Sequence, residues 1–207
     1  MAFYDAFSNF YDASLEKLYA PHRALAAEAL SLEPAAVVLD VPCGTGQSFD
    51  AIASKLGPEG LLLGVDASDG MLKRAATRAR ERNFGAVRTL AGDAATLTLD
   101  DLARAAGRRV LPTRLHVFLG MSVFPDMERT FQQLWSLLAP GGVCVLVDVY
   151  AEKLGVQGFL VNQIARADIR RRFWEPLERV AQNFERQPLP YNRQHGGQIT
   201  LAVGRKG

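Results

Sequence analysis

The chain has 207 residues, 48% hydrophobic and 22% charged, with a formal net charge of +2. This is the composition of one globular domain with room for a sizeable core, and so small a net charge gives no reason to expect a nucleic-acid partner. No apolar run reaches the roughly 20 residues of a membrane span, the N-terminus lacks a secretory pattern, and Cys43 and Cys144 make no disulfide framework, so a cytoplasmic protein is expected.

Along the chain, the periodicity switches repeatedly between helix and strand, as in a mostly parallel sheet covered by helices. Phe3, Phe7, Phe10, Tyr11, Leu15 and Leu18 follow helical spacing, and Pro21 suits the first turn of a second helix running to about Leu32. A strand over 36–40 enters a turn holding Gly44 and Gly46, followed by a helix over 46–56 that stops at Gly57-Pro58. The next strand, 61–65, ends at Asp66. Ser68 caps a helix whose buried stripe is Met71, Leu72, Ala75, Ala76 and Ala79. A strand over 86–91 ends in Gly92-Asp93, and a short helix over about 100–106 takes Asp100 as its cap.

A strand over 114–119 precedes a helix capped by Asp126 and carrying Phe131, Leu134, Trp135 and Leu138. Pro140-Gly141-Gly142 breaks that helix ahead of a strand over 143–148. Residues 156–177 read as a helix combining Phe159, Ile164, Phe173 and Trp174 with Arg166, Arg170, Arg171 and Arg172. It either covers the core with a solvated arginine face or makes peripheral contact with an anionic membrane. Two last strands, near 180–187 and 198–204, flank a turn-rich segment, and no repeat or linker interrupts the chain. One domain is expected.

In an open parallel sheet, ligands bind beyond the carboxyl ends of the strands, at the point where strand order reverses. The residues delivered there are Asp40 with the Gly44-Thr45-Gly46 turn, Asp66, Asp93-Ala94, Leu119-Gly120-Met121 and Asp148-Val149-Tyr150. Strand, glycine-rich turn and helix make a nucleotide crevice. A carboxylate at Asp40 would repel a pyrophosphate and suits a ligand with an ammonium or sulfonium centre. Phe49 also stands where a dinucleotide fingerprint needs its third glycine. Asp66 can accept both hydroxyls of a ribose or serve as a plain helix cap. Cys43 reads as a small residue in a tight loop rather than a nucleophile, and His116 as a structural residue of a buried strand. His22, His116 and His195 lie far apart, without metal-ligand spacing, so no metal is expected.

Val-Leu-Asp-Val-Pro-Cys-Gly-Thr-Gly (38–46), Gly-Val-Asp-Ala-Ser-Asp-Gly-Met-Leu (64–72), Ala-Gly-Asp-Ala (91–94) and Leu-Leu-Ala-Pro-Gly-Gly (137–142) resemble four blocks of the class I S-adenosylmethionine-dependent methyltransferases, in spacing as well as in content. The resemblance implies a Rossmann-like, doubly wound α/β sheet of seven strands, strand seven antiparallel and inserted between strands five and six. It implies S-adenosylmethionine as cofactor, held by Asp40, Pro42, Gly44, Thr45, Gly46, Asp66, Ala67, Met71, Asp93, Ala94, Leu119 and Gly120. Pro42 departs from the family, which usually has glycine there; proline removes one backbone N–H. The whole chain, 1–207, then forms one methyltransferase domain: a helical lid over 1–32, a cofactor-binding core over 35–150, and an acceptor-side helix and hairpin over 151–207.

The leading segment, Tyr-Asp-x-Phe-x-x-Phe-Tyr-Asp (4–12) and Leu-Tyr-x-Pro-x-Arg (18–23), resembles the lid helices of small-molecule members such as quinone-ring and lipid-headgroup methyltransferases. There Tyr11 and Arg23 would hold the methionine carboxylate; the alternative is a core aromatic and a solvated helix charge. The implied partner is a small-molecule acceptor, with Tyr150, Tyr191, Arg193 and His195 as candidates to touch it, unless 191–195 is an ordinary polar hairpin. A nucleic-acid methyltransferase is disfavoured because 120–126 lacks the Asn/Asp-Pro-Pro-Tyr/Phe run of amino-methylating members. A binding protein that senses the cofactor without methyl transfer is the alternative of another class. The catalytic residues and the oligomeric state are left open.

Overall fold

The computed structural model describes residues 2–153, 167–190 and 197–207, with side chains from Glu16 onward. Helix α1 (Ala2–Ala29) precedes β1 (Val37–Asp40), α2 (Phe49–Ala53), β2 (Leu61–Asp66), α3 (Asp69–Glu81) and β3 (Val87–Ala91). Then come α4 (Leu99–Ala106), β4 (Arg114–Phe118), α5 (Met127–Leu137), β5 (Val143–Tyr150), α6 (Glu175–Val180), β6 (Gln182–Pro188) and β7 (Gln198–Arg205). The seven strands form one sheet in the order β3-β2-β1-β4-β5-β7-β6. The pairs among β1 to β5 are parallel, while β7 runs antiparallel to both β5 and β6. This is the Rossmann-like methyltransferase architecture that the resemblance implies. Strand order reverses between β1 and β4, so their carboxyl ends open the crevice.

Strands β1 and β4 are buried at every position, as strands covered on both faces should be. On one face Tyr19 and Ala26 of α1 and Leu30 just beyond it, Phe49 and Ile52 of α2, and Leu72 and Ala75 of α3 pack on Val38, Leu62, Val145 and Val147. On the other, Leu102, Phe131, Leu134, Phe173, Trp174 and Leu177 pack on Leu39, Leu63, Leu115 and Leu146. Phe49 explains the missing third glycine. Its ring lies against Gly46 and Gly64, where any side chain would collide with it.

Several expected boundaries are corrected. Pro21 starts no second helix; it sits inside α1, which ends at Ala29 rather than Leu32. Proline removes one i→i−4 bond there, and the helix continues because Tyr19, His22, Ala26 and Ala27 are buried on either side of it. Thr98, not Asp100, caps α4: its hydroxyl accepts from the Asp101 N–H and the Asp101 carboxylate accepts from the Thr98 N–H. Helix α2 is a short turn of 49–53 instead of 46–56. Strand β4 stops at Phe118 because Leu119 turns to φ +54, and β5 continues to Tyr150.

Of the expected helix over 156–177, residues 156–166 lie outside the described residues. Residues 167–174 form turns, and α6 begins at Glu175 with Pro176 in its first turn. Among the described residues no helix is long and apolar enough to cross a membrane.

Candidate active site

The turn after β1 is strapped to both neighbouring strands. The Val41 N–H donates to the His116 carbonyl of β4 at 3.0 Å, and the Cys43 N–H donates to the Val65 carbonyl of β2 at 2.8 Å. The Gly44 N–H donates to Asp66 Oδ2 at 2.8 Å, while Asp66 Oδ1 accepts from the Ser68 N–H at 2.9 Å. One carboxylate thus joins the glycine turn to the start of α3, with lone pairs left on each oxygen for further donors.

Gly44 adopts φ +56, and a Cβ built on it would meet nothing within 4 Å. The left-handed conformation favours glycine here, and open space stands over the turn. Gly44→Ala is therefore expected to destabilise the fold by about 1 kcal/mol but to weaken binding of a ligand seated over this turn by at least about tenfold, because the new methyl enters that open space. Thermal unfolding and titration calorimetry on one sample separate the two effects. Pro42 faces Gly120, whose Cβ would lie 2.3 Å from Pro42 Cδ. No side chain fits there, so β1 and β4 approach closely at the switch point. Leu119, at φ +54, turns the chain away from β4 while its N–H donates to the Val147 carbonyl at 2.7 Å.

Burial, chiefly, raises the Asp66 carboxyl above its ordinary range, with the Asp40 charge adding to it and the N–H donors of Ser68, Gly44 and Ala67 opposing. Burial and the charges of Asp40 and Asp66 push the Cys43 thiol well up, which removes it as a nucleophile. The crevice thus concentrates negative charge where a cationic ligand would relieve it. Asp40 itself is buried, and its Oδ1 accepts from His116 Nδ1 at 2.7 Å. Asp93 is exposed at the end of β3; its Oδ1 accepts from the Ala95 N–H at 2.9 Å, and Ala94 beside it is buried. Thr45 and Gly46 are buried, Met71 half-buried and Ala67 exposed.

Helix α1 covers this turn. The Tyr19 ring meets Phe118 of β4 edge-on at 5.9 Å, and the Arg23 guanidinium stands 5.0 Å over the same Phe118 ring. Arg23 donates to Gln47 Oε1 within the turn and to the Glu16 carbonyl at 3.5 Å. Burial lowers its pKa to about 10, so it stays charged at neutral pH. It is a buried cation docked on the turn, not a solvated one. The side chain of Tyr11 lies outside the described residues, as do Tyr191, Arg193 and His195. His22 Nε2 donates to the Pro190 carbonyl at 2.6 Å, tying α1 to the chain leaving β6.

Asp148 of β5 braces the loop after β4. It accepts from the Ser122 N–H at 2.8 Å and hydroxyl at 2.9 Å, and from the Val149 N–H at 2.8 Å. Complete burial raises its pKa to about 6, against the opposing donors. An acid whose pKa is higher folded than unfolded favours folding while protonated. Its contribution is therefore present below the ordinary value of 3.8, falls as pH rises to about 6, and is flat above. Urea unfolding between those limits should show this loss, at most about 1.4 kcal/mol per pH unit, and Asp148→Asn should make the slope shallower by this contribution, leaving that of Asp66. Tyr150 meets the Trp174 ring edge-on at 4.9 Å. Among the described residues no group of three His, Cys, Asp or Glu could hold a metal.

The partners of these residues are not written locally in the sequence. Gln47, Phe118 and the Asp40–His116 pair carry no local motif, because cross-strand register and the docking of α1 create them.

A family model described as a methyltransferase domain matches residues 32–169. A nocamycin O-methyltransferase of Saccharothrix syringae is 29% identical over 139 residues, 67% of this chain and 47% of that protein. A demethylmenaquinone methyltransferase of Listeria welshimeri is 26% identical over 132 residues, 64% of this chain and 52% of that protein. The chain thus spans about half the length of these curated relatives. A geranyl diphosphate methyltransferase solved with S-adenosylmethionine superimposes with a TM-score of 0.72 at 17% identity, covering 94% of this chain and 88% of that one. At that identity the likeness establishes the fold.

Proposed function

The chain belongs to the class I S-adenosylmethionine-dependent methyltransferase family, and on that premise we propose that it methylates a small molecule at an oxygen or nitrogen. The observation that carries this reading is the Asp66–Gly44 contact beneath open space, beside the buried carboxylate of Asp40. A pyrophosphate is a poor fit to two acidic strand ends; a nucleoside bearing a positive charge is a good one.

In this assignment Asp66 accepts the ribose hydroxyls with its remaining lone pairs, and Asp93 accepts from the adenine amino group. Gly44, Thr45 and Gly46 let the backbone pass close beneath, while Pro42, Ala67, Met71, Ala94, Leu119 and Gly120 line the crevice. Arg23, with Tyr11 on the same helix, faces the carboxylate of the methionine end, and α1 acts as a lid. When bound, S-adenosylmethionine supplies an activated methyl group whose transfer is an in-line displacement. The protein's part is alignment and exclusion of water. The loop 119–124, held by Asp148 and Ser122, sets the acceptor side of that alignment together with Tyr150.

Quinone-like rings and lipid head groups are the first acceptors to examine, given the menaquinone relative and the leading-helix pattern. Incubation with methyl-labelled cofactor and a panel of phenols, amines, quinols and lipids tests this directly. Label in one class of acceptor is the expected result. Tight cofactor binding with no transfer across the panel would instead indicate a sensor.

A further inference from the structure

Asp40 and His116 are register partners on the parallel strands β1 and β4. Their side chains share the face covered by α1, since the alternate residues Leu39, Leu115 and Val117 pack into the opposite core. His116 Nδ1 lies 2.7 Å from Asp40 Oδ1, with the side chains 0% and 1% exposed. The ring is stacked on Phe118 at 6.0 Å and 22°, which fixes its plane. Two polar atoms remain over: Asp40 Oδ2 and His116 Nε2 are buried without a hydrogen-bond partner among the described residues.

Packing does not account for this pair. Two apolar side chains at these positions would cover the sheet under α1 without desolvating a carboxylate, and an unmet buried acceptor costs about 1–3 kcal/mol. The unmet oxygen also belongs to the last residue of β1, immediately before the glycine turn. The carboxylate is close enough to perturb Arg23, Cys43 and Asp66 electrostatically, which puts it among the charged groups of the crevice.

We propose that His116 is a positioning residue for cofactor binding: its Nδ1–H holds Asp40 Oδ1 so that Oδ2 is presented to the ammonium group of the methionine end. The proposal rests on the methyltransferase reading above. Phe118, fixed between the His116 ring, Tyr19 and Arg23, keeps the imidazole from turning away. Arg23 donates to Gln47 and to the Glu16 carbonyl, whereas the donor placed on Asp40 Oδ1 is the ring Nδ1–H of His116.

The test compares His116→Asn and His116→Gln in the full chain by titration calorimetry with S-adenosylmethionine, S-adenosylhomocysteine and methylthioadenosine. Both substitutions are polar and similar in size, but the asparagine amide stands near the position of Nδ1, whereas that of glutamine reaches past it. Methylthioadenosine lacks the amino-acid end and serves as the internal control. His116→Gln should weaken the first two ligands roughly tenfold, the worth of one charge-assisted hydrogen bond, and leave methylthioadenosine within about twofold. His116→Asn should keep all three within about threefold of the wild type. Parallel losses on all three ligands, or equal behaviour of the two variants, overturn the proposal while leaving the methyltransferase reading intact. Failure of the wild-type protein to bind any of the three overturns that reading and the proposal with it.

Discussion

Asp66→Ala is expected to weaken S-adenosylmethionine binding by about 150- to 25,000-fold, the loss of two hydrogen bonds to a charged acceptor at ~1.5–3 kcal/mol each. The proposed contact is to both ribose hydroxyls, and the structure adds a second consequence. The same carboxylate holds the Gly44 N–H and the Ser68 N–H, so its removal also frees the glycine turn that faces the ligand. Binding energy is lost at the ribose, and the turn must be reordered on each binding event. Titration calorimetry on the folded variant, with folding checked by thermal unfolding, reads the loss. Affinity equal to the wild type would sink the assignment of the crevice to this cofactor.

Asp66 is legible in the sequence because its signal is local: a hydrophobic strand ending in an acid, then Ser68 at a helix start. The same holds for Asp126 and for the break ahead of β5, where Pro140-Gly141-Gly142 permits few conformations. Asp40 shows where that kind of signal stops. Its position at the end of β1 follows from the pattern, but its partner is 76 residues away and is chosen by the register Asp40↔His116. No window of sequence contains that information. The boundary expected at Pro21 fails for a related reason. A proline inside a helix is unfavourable locally, and the packing of α1 on the sheet overrides it through contacts that lie far along the chain.

Asp148 and the third-glycine position illustrate an intermediate case. Asp148 is recognisable as a strand-end acid, yet its role is set by the Ser122 N–H and hydroxyl, so it braces a loop instead of facing a ligand. Phe49 looks like a defect in a dinucleotide fingerprint until Gly64, on the neighbouring strand, supplies the room for its ring. In both cases the residue type is visible in the sequence, and the neighbour that gives it meaning is not.

Arg114 carries the largest expected effect on stability, although nothing around it in the sequence marks it. It opens β4 on the face covered by α1 and is buried. Its Nε donates to the Leu30 carbonyl at 2.6 Å and its Nη2 to the Ser31 carbonyl at 2.7 Å, just beyond the end of α1. Nη1 donates to the Thr113 carbonyl at 2.9 Å. A guanidinium presents its donors in a fixed fork, so one side chain here satisfies carbonyls at the helix terminus and anchors that terminus to the sheet. The cation also complements the negative end of the helix dipole. Arg114→Ala is expected to lower the unfolding free energy by about 3 kcal/mol, from carbonyls stripped of charged donors and from lost packing. Because Arg23 reaches the glycine turn and Tyr19 the end of β4 from the same helix, cofactor affinity should fall as well, by roughly three- to tenfold in conditions where the variant remains folded. Urea unfolding and calorimetry measure the two effects separately. A variant as stable as the wild type would show that α1 is held to the sheet by its apolar face alone.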